Sequence, residues 1–469
     1  MNIVQPIATF SLGQHLGQCR AAPVNLGPGQ PAAFFAAFSA DFDLDPSPEM
    51  FFFPTDTLKL AVFATDGREL WRRDLGPAIV PGVWFAPFLP LDLDGDGVDE
   101  IYFVGNTNPQ HPISHKFKVL ERIDALTGQT TGQWPWPTQL ERTYLAHSNR
   151  NFLMAATVRG NPMLVTAQGT YAAMYLQGWD SGMEQRWAIA IPGDGPGARS
   201  ARGSHMSPVI DWDGDGNDEF FWGERLLRCD DGSEVFCADR DTWDGHSDII
   251  QPVLDDAIGR WMLYTCRETP VSNYNFPERE RLPVSPRVCG YDAAGRRLWG
   301  DLDVGHMDQG WIARVGPDRA PLACAIRVGA KTAGPAGRFH EDVASFFYDA
   351  RTGERRTISW SGYRTLPVDL DGDGRHEFVR GAASGDGALW DATGHSLGTV
   401  GGPVAMLCKL TAHAGEQLLS YHPDGTLRLW ANPAGEDNAA ARARYAHPFY
   451  QANRRLTASG YNLVNLGGI

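Results

Sequence analysis

Short apolar runs cut off by acidic turns define this chain. Phe88-Leu-Pro-Leu91, Val209-Ile210 and Leu366-Pro-Val368 each lead into an aspartate turn, and each turn leads into a second apolar run: Ile101-Tyr-Phe-Val104, Phe220-Phe-Trp222 and Phe378-Val379. The turns repeat one pattern: Asp92-Leu-Asp-Gly-Asp-Gly-Val-Asp-Glu100, Asp211-Trp-Asp-Gly-Asp-Gly-Asn-Asp-Glu219 and Asp369-Leu-Asp-Gly-Asp-Gly-Arg-His-Glu377. Runs this short, bounded by Gly and Asp, predict strand, turn, strand. No long amphipathic helix is visible.

A second kind of hairpin follows. Leu58-Lys-Leu-Ala-Val-Phe-Ala-Thr-Asp-Gly-Arg-Glu-Leu-Trp71, Lys118-Val-Leu-Glu-Arg-Ile-Asp-Ala-Leu-Thr-Gly128, Val288-Cys-Gly-Tyr-Asp-Ala-Ala-Gly-Arg-Arg-Leu-Trp299 and Phe347-Tyr-Asp-Ala-Arg-Thr-Gly353 share alternating apolar positions and an Asp-to-Gly turn. Four antiparallel strands recurring roughly every 35–55 residues mark a β-propeller, one unit per blade. Candidate units begin near Phe34, Phe85, Phe152, Met206, Ile249, Gly310, Thr365 and Val404. The expected fold is therefore all-β, a single propeller of seven or eight four-stranded blades, with eight motifs counted over about residues 31–432. The N-terminal strand or the 433–469 tail would close the ring or pack on it. The first unit carries a degraded acidic turn, Asp41-Phe-Asp-Leu-Asp-Pro-Ser-Pro-Glu49.

Composition narrows the function. The chain is 43% hydrophobic with 52 Gly and 32 Pro in 469 residues, as in a turn-rich β-protein with a large core. A net charge of −15 with no basic stripe argues against nucleic acid as a partner, yet leaves room for an anionic substrate in a local cationic pocket. No stretch approaches roughly eighteen apolar residues, so no membrane span is expected. Met1-Asn-Ile-Val-Gln-Pro-Ile7 lacks the regions of a secretory signal; the chain as given is expected in the cytoplasm, or secreted or periplasmic if a signal has been removed. Seven scattered cysteines are not a disulfide framework, although Cys229 and Cys237, flanking a Gly-containing turn, could pair.

Asp-x-Asp-x-Asp-x-x-x-Glu sets oxygens at alternate positions around a glycine-permitted turn, as a hard cation requires. Asp92, Asp94, Asp96 and Glu100, then Asp211, Asp213, Asp215 and Glu219, then Asp369, Asp371, Asp373 and Glu377 are expected to hold structural Ca²⁺. All three turns join first to second strands and so share one face. The opposite face receives the residues that enter first strands and leave second strands. His147, His205, His246 and His306 start four successive units, while His115, Tyr171, Glu224-Arg225 and Cys266-Arg267 leave second strands. His205, His246, Cys266 and His306 form a set suited to a structural Zn²⁺; the plainer reading is imidazoles on loop carbonyls and a core thiol. His115 and His147 are expected across one groove as an acid/base pair. Arg240 reaches the same face, Arg314 lies within the first strand of the sixth unit and Arg364 enters the seventh; guanidiniums beside the two imidazoles would clamp a carboxylate.

Several stretches carry a resemblance: Ser114-His-Lys-Phe-Lys-Val-Leu-Glu-Arg-Ile-Asp-Ala-Leu-Thr-Gly128, His147-Ser-Asn-Arg-Asn-Phe152, Ser204-His-Met-Ser-Pro208, Cys237-Ala-Asp-Arg-Asp241, Gly245-His-Ser-Asp248 and Gly305-His-Met-Asp308. With them the chain resembles the propeller-type polysaccharide lyases, ulvan lyases and enzymes cutting rhamnose–glucuronate linkages. The resemblance implies β-elimination on a uronate-containing poly- or oligosaccharide. His115 and His147 would transfer protons and contact the carboxylate, and Arg240 would neutralise charge. It also implies a His/Cys zinc site, calcium in the blades, and a His–Tyr pair. Where that Tyr is sought, the fourth unit has Trp222-Gly-Glu-Arg225, and Tyr171 of the neighbouring unit stands in. The alternative class is a non-catalytic calcium-binding propeller module for glycan or protein. It supplies no reason for histidines at four successive unit starts.

Overall fold

The computed structural model describes residues 2–140, 145–193, 200–268, 286–302, 305–335 and 337–469. The apolar runs pair into eight antiparallel four-stranded sheets, the blades of one propeller. Their innermost strands, blades one to eight in chain order, are Gln18–Val24, Phe88–Leu91, Asn151–Val158, Val209–Ile210, Gly245–Asp255, His306–Val315, Leu366–Val368 and Val404–Cys408. The outermost strand of blade eight is the N-terminal Gln5–Ser11, antiparallel to Thr426–Ala431, so the chain start closes the ring. Blade five gains a parallel strand, Ala201–Ser204, and blade six an inserted hairpin, Lys331–Gly334 with Gly337–His340.

Neighbouring blades are held by a recurring clasp. The indoles of Trp71, Trp187 and Trp299, on outer strands, donate to the carbonyls of Ala125, Cys229 and Ala350 on the next blade at 2.7, 2.7 and 2.9 Å. Each ring lies on the glycine that turns that blade's outer hairpin, Gly128, Gly232 or Gly353, all at φ +72°, where a Cβ would come within 2.7, 2.8 and 2.6 Å of the indole. Glycine is required there twice over, for the left-handed turn and for the close ring. Trp187→Ala is expected to lower stability by about 3–5 kcal/mol, read as a shift in the urea midpoint with unchanged slope.

The tail packs on the ring from within, against the inner strands of several blades. After helices Ala439–Ala446 and Pro448–Asn453 the chain meets inner strands in turn. Asn453 bonds both the carbonyl and the amide of Val209, Thr457 donates to the Ala21 carbonyl, and Gln251 donates to the Val464 carbonyl at 2.8 Å. Gly467 lies so close to blade six that a Cβ would sit 2.0 Å from the Ile312 carbonyl oxygen. Buried Arg444 pairs with buried Glu416 at 2.9 Å and ties the tail to blade eight.

Three expectations are corrected here. Arg314 is 1% exposed and donates to the Leu254 and Gly468 carbonyls, so it anchors the plug and is shut off from substrate. Its place near the end of the inner strand puts it toward the acidic turns. Blade one starts a strand earlier than Phe34, at Gln18, so Asp41–Glu49 follows a second strand and falls on the face opposite the acidic turns. Leu44 and Pro46 stand where the true turns have the glycines that supply their left-handed residues. Cys229 and Cys237 are both free thiols; Cys237 pairs in register with Arg225, at the other end of the strand that Cys229 follows.

Candidate functional site

The acidic turns adopt one geometry. Asp92, Asp211 and Asp369 each accept two backbone amides, from Gly95 and Gly97, Gly214 and Gly216, and Gly372 and Gly374, at 2.8–3.1 Å. This gathers Asp92, Asp94 and Asp96; Asp211, Asp213 and Glu219; and Asp369, Asp371 and Glu377 into sets whose oxygens lie within 4.8 Å of one another. Burial, helped by the nearby aspartates, pushes Glu100 and Glu219 up to about 7.

The opposite face holds the histidines. Ala201–Ser204 runs parallel to the start of blade five, with Ser204 in register with Ser247, which sets His205 beside His246 at 4.5 Å between ring centroids. The two Gly-His-x-Asp segments share a device. The strand ladder slips between Ser247 and Ile249 and again between Met307 and Gln309, leaving Asp248 and Asp308 at the slips. Such a bulge re-aims a side chain. Asp248 thereby meets three imidazoles: its Oδ1 lies 3.2 Å from His205 Nε2 and 3.5 Å from His246 Nε2, and its Oδ2 lies 4.0 Å from His306 Nε2. His306 also faces Glu268 at 3.5 Å and Asp308 at 3.3 Å.

Cys266 is not in this cluster. It pairs in register with Ile249, one residue past the bulge, and its Sγ lies 3.2 Å from the Tyr264 hydroxyl within the apolar core between blades five and six. Burial drives its thiol far above the ordinary range, so it is an inert core residue. The structure therefore replaces Cys266 with Asp248 in the predicted zinc set.

Tyr171, predicted as the stand-in tyrosine, sits at the cluster. Its backbone is left-handed at φ +68°, an uncommon state for a bulky residue that surrounding structure must enforce. Its ring stacks on His246 at 4.1 Å and on His147 at 5.2 Å, and its hydroxyl meets His205 Nε2 at 3.3 Å. Arg150 lies over both Tyr171 and Trp84 and pairs with Asp45 at 3.1 Å, so the misread 41–49 segment supplies a site carboxylate. Burial holds the Tyr171 phenol well above its usual range and His147 down at about 4, leaving both neutral.

His115 and His147 do share this face, but His115 is not open to a substrate. It is 1% exposed, its Nε2 meets Ser148 Oγ at 3.1 Å and its Nδ1 meets the Gln168 amide at 3.0 Å. Burial lowers it to about 3. It orients the segment that carries His147. Arg240 is half-exposed and ion-paired to Glu234 on the outer strand of blade four, away from the cluster.

The cations at the site come instead from the hairpin inserted in blade six. Lys331 pairs with Asp308, Arg338 reaches Asp45 at 3.6 Å, and His340 lies 3.6 Å from Asp308 with its Nδ1 on the Tyr363 hydroxyl at 2.9 Å. Arg338, His340 and Asp308 line a cleft of about 220 Å³ together with Arg364 and Tyr461 of the tail. Of the predicted guanidiniums, only Arg364 stands in this cleft; it lies over Tyr363 and bonds the Arg338 carbonyl. The hairpin was missed from sequence. Its signal was the stretch between Val328 and Ala344, too long for a turn within a blade, with Lys331, Arg338 and His340 inside it. Burial and neighbouring Asp308 push Asp248 up, whereas Lys331 and His306 hold Asp308 well below the carboxylate range despite its burial.

Fold and site together describe an eight-bladed propeller whose mouth joins a histidine–carboxylate cluster to a cation-lined cleft. The relatives share this architecture. No family model matches the chain. Among curated proteins it is similar to the rhamnogalacturonan exolyase YesX of Bacillus subtilis (strain 168), 26% identical over 425 residues, covering 83% of this chain and 65% of that protein. It is also similar to the rhamnogalacturonan endolyase YesW of the same organism, 24% identical over 293 residues, covering 56% of this chain and 44% of that one. The chain thus spans less than two thirds of the length of the curated relatives it matches. Among solved structures, the exotype rhamnogalacturonan lyase YesX superposes with a TM-score of 0.75 at 18% identity, covering 99% of this chain and 83% of that one. A Bacillus licheniformis rhamnogalacturonan lyase gives 0.72 at 19% identity, covering 97% and 80%. The resemblance to propeller polysaccharide lyases read from the sequence is borne out. The relatives' names carry rhamnogalacturonan, not ulvan.

Proposed function

We propose that this protein is a polysaccharide lyase that cleaves an acidic, rhamnose-containing glycan by β-elimination, with a galacturonate–rhamnose backbone as the favoured substrate. The observation that carries the reading is the meeting of Tyr171 and the histidine cluster with Lys331, Arg338 and Arg364 at one mouth. β-Elimination removes the C5 proton of a uronate and expels the C4 oxygen, and negative charge builds on the carboxylate as it proceeds. Cations already fixed around that carboxylate stabilise this charge without reorganising. Arg338, Arg364 and Lys331 take this role in place of Arg240 and Arg314. A neutral imidazole accepts a proton and a protonated phenol gives one, so His147 suits removal of the C5 proton and Tyr171 protonation of the leaving oxygen.

The same cluster suits a divalent cation. Both carboxylate oxygens of Asp248 and Nε2 of His246 are buried without a hydrogen-bond partner among the described residues. His205, His246 and Asp248 would hold the ion, with Glu268 beside them. Without Cys266 the donors are two imidazoles and a carboxylate, a set that suits a transition-metal dication such as Zn²⁺ and not Ca²⁺, which takes oxygen ligands. Such an ion would neutralise the uronate carboxylate. The three acidic turns are proposed as separate structural Ca²⁺ sites. Elemental analysis after exhaustive dialysis should find the mouth cation unchanged in Cys266→Ala; its loss there would restore the thiolate set.

The deciding assay incubates the full chain with rhamnogalacturonan, ulvan and homogalacturonan and follows the ultraviolet absorbance of the unsaturated uronate end. A rise on rhamnogalacturonan, kept within about twofold in Arg240→Ala, is expected. A rise on ulvan alone would move the specificity to rhamnose–glucuronate. New reducing ends without the chromophore would make the protein a hydrolase, and silence on every polymer would favour the glycan-binding module.

A further inference from the structure

The loop after blade one's second strand keeps the alternating aspartates of a cation turn and gives each a different partner. Asp41 accepts the backbone amides of Thr55 and Asp56 at 2.6 and 2.8 Å and closes the loop on itself. Asp43 accepts Val83 N–H at 2.8 Å, and Leu44 N–H donates to the Pro81 carbonyl at 3.1 Å. These two bonds fix the loop to the segment before blade two. Ser47 N–H then donates to the Asp45 carboxylate at 2.8 Å. The backbone is thus pinned on both sides of Asp45, whose side chain stands behind the mouth.

Asp45 is 2% exposed, so it acts on a substrate only through its neighbours. Arg150 holds it with two donors, at 3.1 and 3.4 Å, and the Trp84 indole donates to it at 3.1 Å. The Arg150 guanidinium also covers the Tyr171 ring at 5.3 Å, and its backbone N–H donates to the His147 carbonyl at 3.3 Å. From the other side comes Arg338, on the hairpin inserted in blade six, 3.6 Å from the same carboxylate. That distance is an ion pair without a hydrogen bond. Arg338 lines the cleft, and its Nε is buried with no hydrogen-bond partner among the described residues. Arg150 is therefore bonded to Asp45, whereas Arg338 is only attracted by it and keeps donors for a ligand. Burial would raise the Asp45 carboxyl, but Arg150 and Arg338 outweigh it and hold the group below the usual carboxylate range.

We propose that Asp45 is a positioning residue that couples the two halves of the mouth: through Arg150 it fixes Tyr171 and His147, and through Arg338 it holds the inserted hairpin where a uronate carboxylate is received. This rests on the lyase reading for the identity of that carboxylate. Blades one and six are not neighbours in the ring, and Asp45 joins them with one charge. The hairpin needs such a tether. Lys331–Gly334 and Gly337–His340 pair only with each other, and a two-stranded ribbon is marginal by itself. Its place is set by side chains, Lys331 on Asp308, His340 on Tyr363 and Arg338 toward Asp45. Without the Asp45 charge, two guanidiniums face each other at the mouth, and the less tightly held Arg338 moves.

Free galacturonate titrated into the full chain, followed at the indole N–H resonance of Trp84, reads the Arg338 arm without turnover. Asp45→Asn and Arg338→Ala are each expected to weaken binding about tenfold, and the double variant no further. The Tyr171 arm is read as kcat on rhamnogalacturonan. It should fall about 10- to 100-fold in Asp45→Asn and be lower in the double variant than in Arg338→Ala alone. A carboxylate that only supported the fold would lower the urea midpoint and give additive losses. Additive losses of binding, or an Asp45→Asn protein that binds and turns over like its parent, therefore overturn the proposal. Asp45→Asn leaves buried Arg150 without a countercharge. If that chain fails to fold, Asp45→Asn with Arg150→Met removes both charges, and the binding cycle with Arg338→Ala is run on that pair. Non-additive binding in a protein silent on every polymer keeps the coupling and loses the lyase reading; an active lyase with additive losses does the reverse. A parent that does not bind galacturonate overturns the coupling whatever its activity.

Discussion

Asp248→Asn is expected to release the cation proposed for the mouth and to lower turnover by about 10- to 100-fold. The substitution keeps the size of the side chain and its place in the bulge, and it removes the carboxylate that three imidazoles face. An amide offers one oxygen where the carboxylate offers two. His205 and His246 alone make a weak site, and excess cation in the assay should restore part of the rate. Elemental analysis and the product chromophore, measured on the same preparation, give both halves of the result. Normal cation content with full activity would remove Asp248 from the site. Because each acidic turn lies on the opposite face, a chelator gentle enough to strip the mouth should leave the thermal transition almost unmoved, and a harsher one should lower it.

Tyr171→Phe is expected to reduce kcat by about 10²–10⁴ while leaving KM and cation content nearly unchanged. The phenyl ring keeps the stacking on His147 and His246, so the left-handed backbone and the packing survive. Only the hydroxyl that meets His205 is lost. A proton donor acts in the transition state, so its removal should appear in kcat; a residue that only packed would change stability and little else. Circular dichroism and a urea midpoint close to the parent confirm that the fold is intact. A variant within a few-fold of the parent rate would pass proton transfer to another group, with His340, a neutral imidazole in the cationic cleft, next in line.

What could be read in the chain was whatever depends on neighbours in sequence. An acidic turn is nine residues of local spacing, and Asp92, Asp211 and Asp369 bond their own glycines in the same way three times. Strand alternation and the Asp-to-Gly hairpins are equally local, so the propeller and its count of units followed from them. The placement of His205, His246 and His306 on one face followed from strand direction alone. Side-chain aim did not. Bulges at Asp248 and Asp308 shift the parity of the strand by one, and this exchanges Cys266 for Asp248 as the partner of the imidazoles.

Long-range pairing supplied the rest. Arg314 looked available until the tail entered the ring and placed the Gly468 carbonyl against it. Arg240 found Glu234 on its own blade, and the cations of the mouth came from an insertion that breaks the repeat. Asp41–Glu49 resembled a cation turn in composition, but the phase of blade one carried Asp45 to the other face and onto Arg150. Periodic spacing thus dictated the blades, their turns and the face on which chemistry gathers, because those follow from backbone geometry over a few residues. Which charges meet at the mouth depended on a parity shift, an inserted hairpin and a plugging tail, each of which acts by bringing together atoms that are remote along the chain.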